Sequence, residues 1–170
     1  MKKMLIIAAL LSSVTYAQTN ESCYLKENIG KVGKEGICEG RLIVDNDLLK
    51  KIVEDGADYS SDNIFTGQVT SMRSLFSGKK VIYDITGWDV SNVKTMELMF
   101  FHADFNQPIG KWNTEKVEDV SYMFVNTKNF DQNLSSWNTQ SVKNNAAFAL
   151  SENFKKIDEP LFNLEEQIEY

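Results

Sequence analysis

The chain has 170 residues, enough for one continuous core, and carries 18 basic against 24 acidic side chains for a net charge of −6. An acidic balance of this size disfavours nucleic acid and anionic membranes, which select a clustered basic face. The one dense basic stretch, 26–34, is interleaved with Glu27 and bounded by Glu35.

Residues 1–17 read as a secretory signal. Lys2 and Lys3 make a positive start, 4–11 are apolar, and Thr15-Tyr16-Ala17 ends in the small residue that signal peptidase accepts. Cleavage there leaves 16 basic and 24 acidic residues, a net of −8. No segment reaches the roughly 20 apolar residues a spanning helix needs, so no integral membrane segment is expected in the mature chain. The first mature cysteine follows Asn20-Glu21-Ser22 and not the small-residue run of a lipid-attachment site. The expected product is exported and soluble, in the periplasm, outside the cell or at its surface.

An N-terminal cap is expected over 18–58. Cys23 and Cys38 lie 15 positions apart in an exported chain, and a disulfide is the economical reading. Closing a loop of that length is worth about 3 kcal/mol in the chain-entropy model. A redox or metal pair would want Cys-x-x-Cys spacing or histidine partners, and neither is present. A short strand is expected over 41–44. Asp45-Asn46-Asp47 then offers capping oxygens to a helix whose stripe is Leu48, Leu49, Ile52 and Val53 and whose stop is Gly56. The same triplet lacks the glycine and distal glutamate of a calcium loop.

From 59 to 157 the chain repeats itself. Trp88, Trp112 and Trp137 are spaced by 24 and 25 residues, and five positions after each comes Val93, Val117 or Val142; Val69 extends the phase backward to a copy without tryptophan. Such a period is the mark of stacked supersecondary units. Two residues past each valine stand Ser71, Thr95, Asp119 and Asn144, all favoured helix N-caps, ahead of Met72 and Leu75, Met96 and Met99, Val120 and Met123, and Phe148. A short helix per coil is therefore expected, its stripe widened by Phe76, Phe100 and Phe124. Phe105, Phe130 and Phe154, with Ile109, Leu134 and Ile157, are further core candidates; Val81 and Ile85 hold these places in the first copy. Around the tryptophans, alternation of period two predicts short parallel strands. Trp88, Val90, Trp112, Thr114, Trp137 and Thr139 point to one side, and Asp89, Ser91, Asn113, Glu115, Asn138 and Gln140 to the other.

Residues 158–170 are expected to form a C-terminal cap helix, opened by Pro160, with Leu161, Leu164 and Ile168 on one stripe and Glu165, Glu166 and Glu169 opposite.

The frame W-[DN]-[VT]-x-x-V-x-x-[MV]-x-x-M-F, followed by Phe105-Asn106-Gln107 or Phe130-Asp131-Gln132 and a branched aliphatic residue, resembles the BspA-like repeat of bacterial surface proteins and mycoplasma-type lipoproteins. The resemblance spans 67–154. It implies a leucine-rich-repeat type of surface or exported protein, some relatives being linked to adhesion and host-protein binding. Together the period, caps and resemblance predict a single-domain α/β fold: a short right-handed leucine-rich-repeat-like solenoid of about four coils, each a short helix plus a short parallel strand.

Catalytic chemistry has little support. His102 is the sole histidine, near Asp104, and there is no nucleophile elbow, phosphate loop or two-histidine metal motif. No cofactor is expected. Asn106, Gln107, Asp131 and Gln132 are read as satisfying turn backbone groups. The expected function is a non-enzymatic module that presents Asp89, Ser91, Asn113, Glu115, Asn138 and Gln140 to a protein or glycan. The alternatives are an envelope assembly component, with possible self-association, and a secreted enzyme or inhibitor whose site lies in the N-terminal cap.

Overall fold

A computed structural model describes residues 21–148, together with Pro160 and Phe162. The signal segment 1–17, Phe154, Ile157, and the cap-helix stripe of Leu161, Leu164 and Ile168 lie outside the described residues.

The described chain opens with two single-turn 3-10 segments, Lys26–Asn28 and Gly36–Cys38, both within the loop closed by the Cys23–Cys38 disulfide. Both cysteines are fully buried and form a small apolar cluster with Ile43 and Phe65. Gly33 belongs to this knot by necessity, since a Cβ there would collide with the Cys38 carbonyl and sulfur.

Strand β1 (Leu42–Ile43) pairs in parallel with β2 (Ile64–Phe65), Leu42 opposite Ile64 and Ile43 opposite Phe65. A parallel pair needs a crossover, and helix α1 (Asn46–Glu54) supplies it. The Leu48 N–H donates to Asp45 Oδ1 at 2.9 Å, closing the helix start, while Leu49 and Val53 bury its apolar stripe. At the other end Gly56 takes φ +69°, its N–H donates to the Val53 carbonyl, and the Ala57 N–H donates to the Ile52 carbonyl. This is a Schellman closure, and the left-handed position it requires is the reason a glycine stands there.

Beyond β2 the chain runs as turns laid side by side. Parallel bridges join Ser71 to Thr95, Thr95 to Asp119 and Asp119 to Asn144, and a second series joins Lys80 to Asp104 and Asp104 to Lys128. Between the rows lies most of the core. Val69, Val93 and Val117, Met72, Met96 and Val120, and Phe76, Phe100 and Phe124 are buried in register. The phenylalanine rings stack, Phe76 on Phe100 at 5.8 Å and Phe100 on Phe124 at 5.5 Å between centroids, with Phe105 and Phe130 stacked alongside at 5.7 Å. Offset ring pairs add about 0.5–1.5 kcal/mol each beyond the area they bury. Phe148 and then Phe162 continue the aromatic column at the last turn, their centroids 5.1 Å apart.

This architecture corrects the expectation of a leucine-rich-repeat-like solenoid with a helix and a strand in each coil. Among the described residues there is one α-helix, α1, and one open two-stranded sheet, both ahead of the tryptophans. The reason lies in the backbone accounting. An α-helix sends each N–H to the carbonyl four residues back. Here the N–H groups of Met72, Ser74, Phe76 and Gly78 donate across to the carbonyls of Thr95, Glu97, Met99 and Phe101, while those of Leu75, Ser77 and Lys79 donate three residues back. Half the donors leave the turn, so no helix forms. Ser74, Leu98 and Tyr122 take φ of +56°, +58° and +57°, which also breaks a right-handed helix. The expected N-caps cap something else: Ser71, Thr95, Asp119 and Asn144 accept from the N–H two residues on, in the manner of Asx and ST turns. The strands expected around the tryptophans are not formed either, since the bridges lie at the two rows named above. Apolar spacing of i, i+3 and i+4 suits a helix and a chain of i to i−3 turns alike, so the spacing misidentified the element.

Candidate functional surface

Among the described residues, no group of three or more His, Cys, Asp or Glu is placed to hold a metal ion. His102 and Asp104 do not pair. The histidine Nε2 lies 3.3 Å from Asn126 Nδ2 and its ring rests on Phe101, whereas Asp104 accepts from Asn129 Nδ2 and lies 3.8 Å from Lys80 Nζ. Gln107 joins two turns: Ile85 N–H donates to its Oε1 at 2.9 Å, and its Nε2 donates to the Tyr83 carbonyl at 2.8 Å. Asn106 Oδ1 accepts from the Asp131 N–H and from Gln132 Nε2.

The polar side chains around the tryptophans are built by inward neighbours. Trp88, Trp112 and Trp137 are only 4–5% exposed, and Val90, Thr114 and Thr139 are buried beside them. Thr66 Oγ1 donates to the Asp89 carbonyl and Thr114 Oγ1 to the Asn138 carbonyl, both at 2.9 Å, tying each turn to the next from inside. Trp88 Nε1 donates to the Tyr59 carbonyl and Trp137 Nε1 to the Ile109 carbonyl, each at 3.0 Å. The corresponding Trp112 Nε1 is buried without a hydrogen-bond partner among the described residues.

On the outer side, Asp89, Asn113 and Asn138 each accept the backbone N–H two positions on, from Ser91 (3.0 Å), Glu115 (3.2 Å) and Gln140 (3.0 Å). One oxygen of each therefore shapes its turn. Asp89 is further committed, because Tyr24 Oη donates to its second oxygen at 2.9 Å. Partial burial first, then the hydrogen bond to Asp89 and the charge on that residue, push the Tyr24 hydroxyl up to about 12. Asp89, in contact with Tyr24, and Ser91 are half-buried, whereas Asn113, Glu115, Asn138 and Gln140 are exposed. The six residues therefore differ in exposure, two half-buried and four exposed.

Two clefts are lined by residues of the same turns, and Gln140 lines the second. One, of about 670 Å³, runs past Thr86, Gly110, Lys111, Gln132, Asn133 and Ser136. The other, of about 410 Å³, is lined by Lys94, Lys116, Glu118, Gln140, Ser141 and Lys143. In the second, Lys143 Nζ lies 2.6 Å from Glu118 Oε2, Lys116 Nζ donates to Asn92 Oδ1 at 2.6 Å, and Asn92 Nδ2 donates to the Gly67 carbonyl. Lys143, by its hydrogen bond and then its charge, and more weakly Lys94 hold the Glu118 carboxyl below the usual range. The three lysines were not singled out in the sequence because they are 22 and 27 positions apart. Their meeting depends on a stacking register that only the bridges reveal. A third cleft, of about 280 Å³, lies in the N-terminal knot beside Lys31, Lys34 and Glu35.

No helix among the described residues is long and apolar enough to cross a membrane. Residues 50–159 match the family model described as "Mycoplasma protein of unknown function, DUF285". This replaces the BspA-like leucine-rich-repeat assignment, which the single α-helix and the two-stranded sheet among the described residues also contradict. No curated protein and no solved structure matches the chain.

Proposed function

Since the chain belongs to the DUF285 family, whose function is unknown, we propose from its own surface that it is a non-enzymatic binding protein that holds an extended ligand along Asn113, Glu115, Asn138 and Gln140. The observation that carries this reading is the pairing of exposed amide- and carboxylate-bearing side chains with a cleft that Gln140 itself lines. The turn bonds of Asn113 and Asn138 engage their Oδ1 atoms and leave the Nδ2 amides for a ligand. Such side chains are held in place before binding, which reduces the ordering cost of association. The Cys23–Cys38 disulfide supports export to an oxidising compartment, periplasmic or extracellular.

The test is the double substitution Asn113→Asp with Asn138→Asp. An aspartate keeps the oxygen that accepts the turn N–H and removes the amide donor. Wild-type and variant chains are compared on an array of extracellular polysaccharides and matrix proteins, with thermal midpoints measured in parallel. Loss of a wild-type array signal at an unchanged midpoint supports the reading. An identical array pattern for the two chains, or an empty array for the wild type, sinks it.

A further inference from the structure

Resting on that reading, we infer that the ligand is an acidic polysaccharide whose sulfate or carboxylate groups enter the cleft between Lys94, Lys116 and Lys143. Three observations converge on this chemistry. First, the cleft is lined by three lysines from successive turns and by one carboxylate, Glu118, an excess of two positive charges among its lining residues on a chain of net charge −6. A cationic recess on an acidic surface repels nothing it needs and selects anions against the rest of the molecule.

Second, the lysines are partly preorganised. Asn92, itself fixed by its bond to the Gly67 carbonyl, holds the Lys116 ammonium, and Glu118 holds that of Lys143. Lys94 Nζ has no ion pair of 4 Å or less among the described residues, although it acts on Glu118 through its charge. An entering oxyanion would meet Lys94 and Lys116 first, with the Lys143–Glu118 pair at its edge.

Third, the adjoining surface matches hydroxyl-rich chains better than a protein partner. Protein interfaces draw most of their energy from desolvated Trp, Tyr and Arg anchors. Here all three tryptophans are turned into the core, and the exposed groups are amides, hydroxyls and one carboxylate: Asn113, Asn138, Gln140, Asn133, Ser136 and Glu115. Groups that both donate and accept pair naturally with sugar hydroxyls. Because the indoles are covered, recognition rests on hydrogen bonds and charge, so binding should weaken as salt is raised.

The experiment is calorimetric titration of the full chain with four probes of matched length: a sulfated dextran oligosaccharide, an oligogalacturonate, neutral dextran and a polyglutamate peptide. The first two distinguish sulfate from carboxylate. Each is repeated with Lys94→Gln, Lys116→Gln and Lys143→Gln combined, and with the three lysines changed to Arg. The expected result is saturable binding of at least one acidic oligosaccharide, weakened tenfold or more in the glutamine variant, retained in the arginine variant, and stronger than that of neutral dextran. The inference is overturned if neither acidic oligosaccharide binds, if the glutamine variant binds as the wild type does, or if polyglutamate binds at least as tightly as both. The Asn113→Asp, Asn138→Asp chain separates the two readings. Lysine-dependent binding that this variant leaves intact keeps the cleft and removes the polar surface, whereas array ligands lost in it without any acidic-oligosaccharide binding do the reverse.

Discussion

The Tyr24 hydroxyl donates to the Asp89 carboxylate at 2.9 Å, across 65 positions of sequence. The contact seals the disulfide-tied segment onto the first tryptophan turn, with the Tyr24 ring edge-on to Phe65 and Gln68 Nε2 bonded to the Cys23 and Leu25 carbonyls. The folded chain holds the Tyr24 proton more tightly than the unfolded chain, raising its value from 10.0 to about 12. The stabilisation is therefore fully present below pH 10 and is lost as the pH rises through about 12. Burial also raises the Tyr59 hydroxyl, so absorbance titration at alkaline pH should show late tyrosines, one fewer of them in Tyr24→Phe, and the variant's unfolding midpoint should depend less on pH across that window.

Opening the Cys23–Cys38 loop should cost about 2–4 kcal/mol. Cys23→Ser with Cys38→Ser, compared with wild type by urea unfolding, measures it. The loss should track the N-terminal knot, because the cysteines pack against Ile43 and Phe65 while most of the core forms a separate cluster.

Phe100 sits in the middle of the ring column, stacked on Phe76, Phe124 and Phe105. Phe100→Ala should destabilise by about 3–5 kcal/mol through the cavity it leaves. A chemical-denaturation loss below about 1 kcal/mol would show that the column repacks.

The tryptophans should respond unequally to phenylalanine. Trp137→Phe loses a hydrogen bond to the Ile109 carbonyl, which keeps the Trp112 N–H as a donor, whereas Trp112→Phe removes a buried donor that has no partner among the described residues and so relieves its desolvation cost. The cost of an unpaired buried group is about 1–3 kcal/mol, so Trp112→Phe should be the milder change by about that margin in thermal or urea melts.

Ser74 is exposed yet holds φ +56°. Glycine relieves the left-handed strain of about 1–2 kcal/mol and adds about 0.5–1 kcal/mol of unfolded-state entropy. Ser74→Gly should stabilise by about 0.5 kcal/mol, and Ser74→Val should destabilise by more than 1 kcal/mol, estimated from β-branched crowding at positive φ. Equal urea midpoints for the two would refute the strain argument.

Read alone, the sequence determined which side chains are buried: among the described residues the valine, methionine, phenylalanine and tryptophan positions that recur with the period are core residues, except Val142, which is only partly buried. It also placed α1 and its Asp45 cap, because capping chemistry and a helical stripe are local and act within one turn of chain. Burial follows from composition and spacing, which need no knowledge of partners.

The tertiary structure alone decided how the backbone between those anchors is satisfied. Whether the N–H of Met72 or Phe76 bonds within its own turn or to the next depends on a neighbour about 25 residues away, and an apolar stripe is the same in either case. That choice replaced the expected helices with stacked turns. It also set Asp89 against Tyr24, left Asn113, Glu115, Asn138 and Gln140 exposed, and gathered Lys94, Lys116 and Lys143 at one cleft. Charges on separate turns have no local signature; they become a site only when the register of stacking brings them within range of one another.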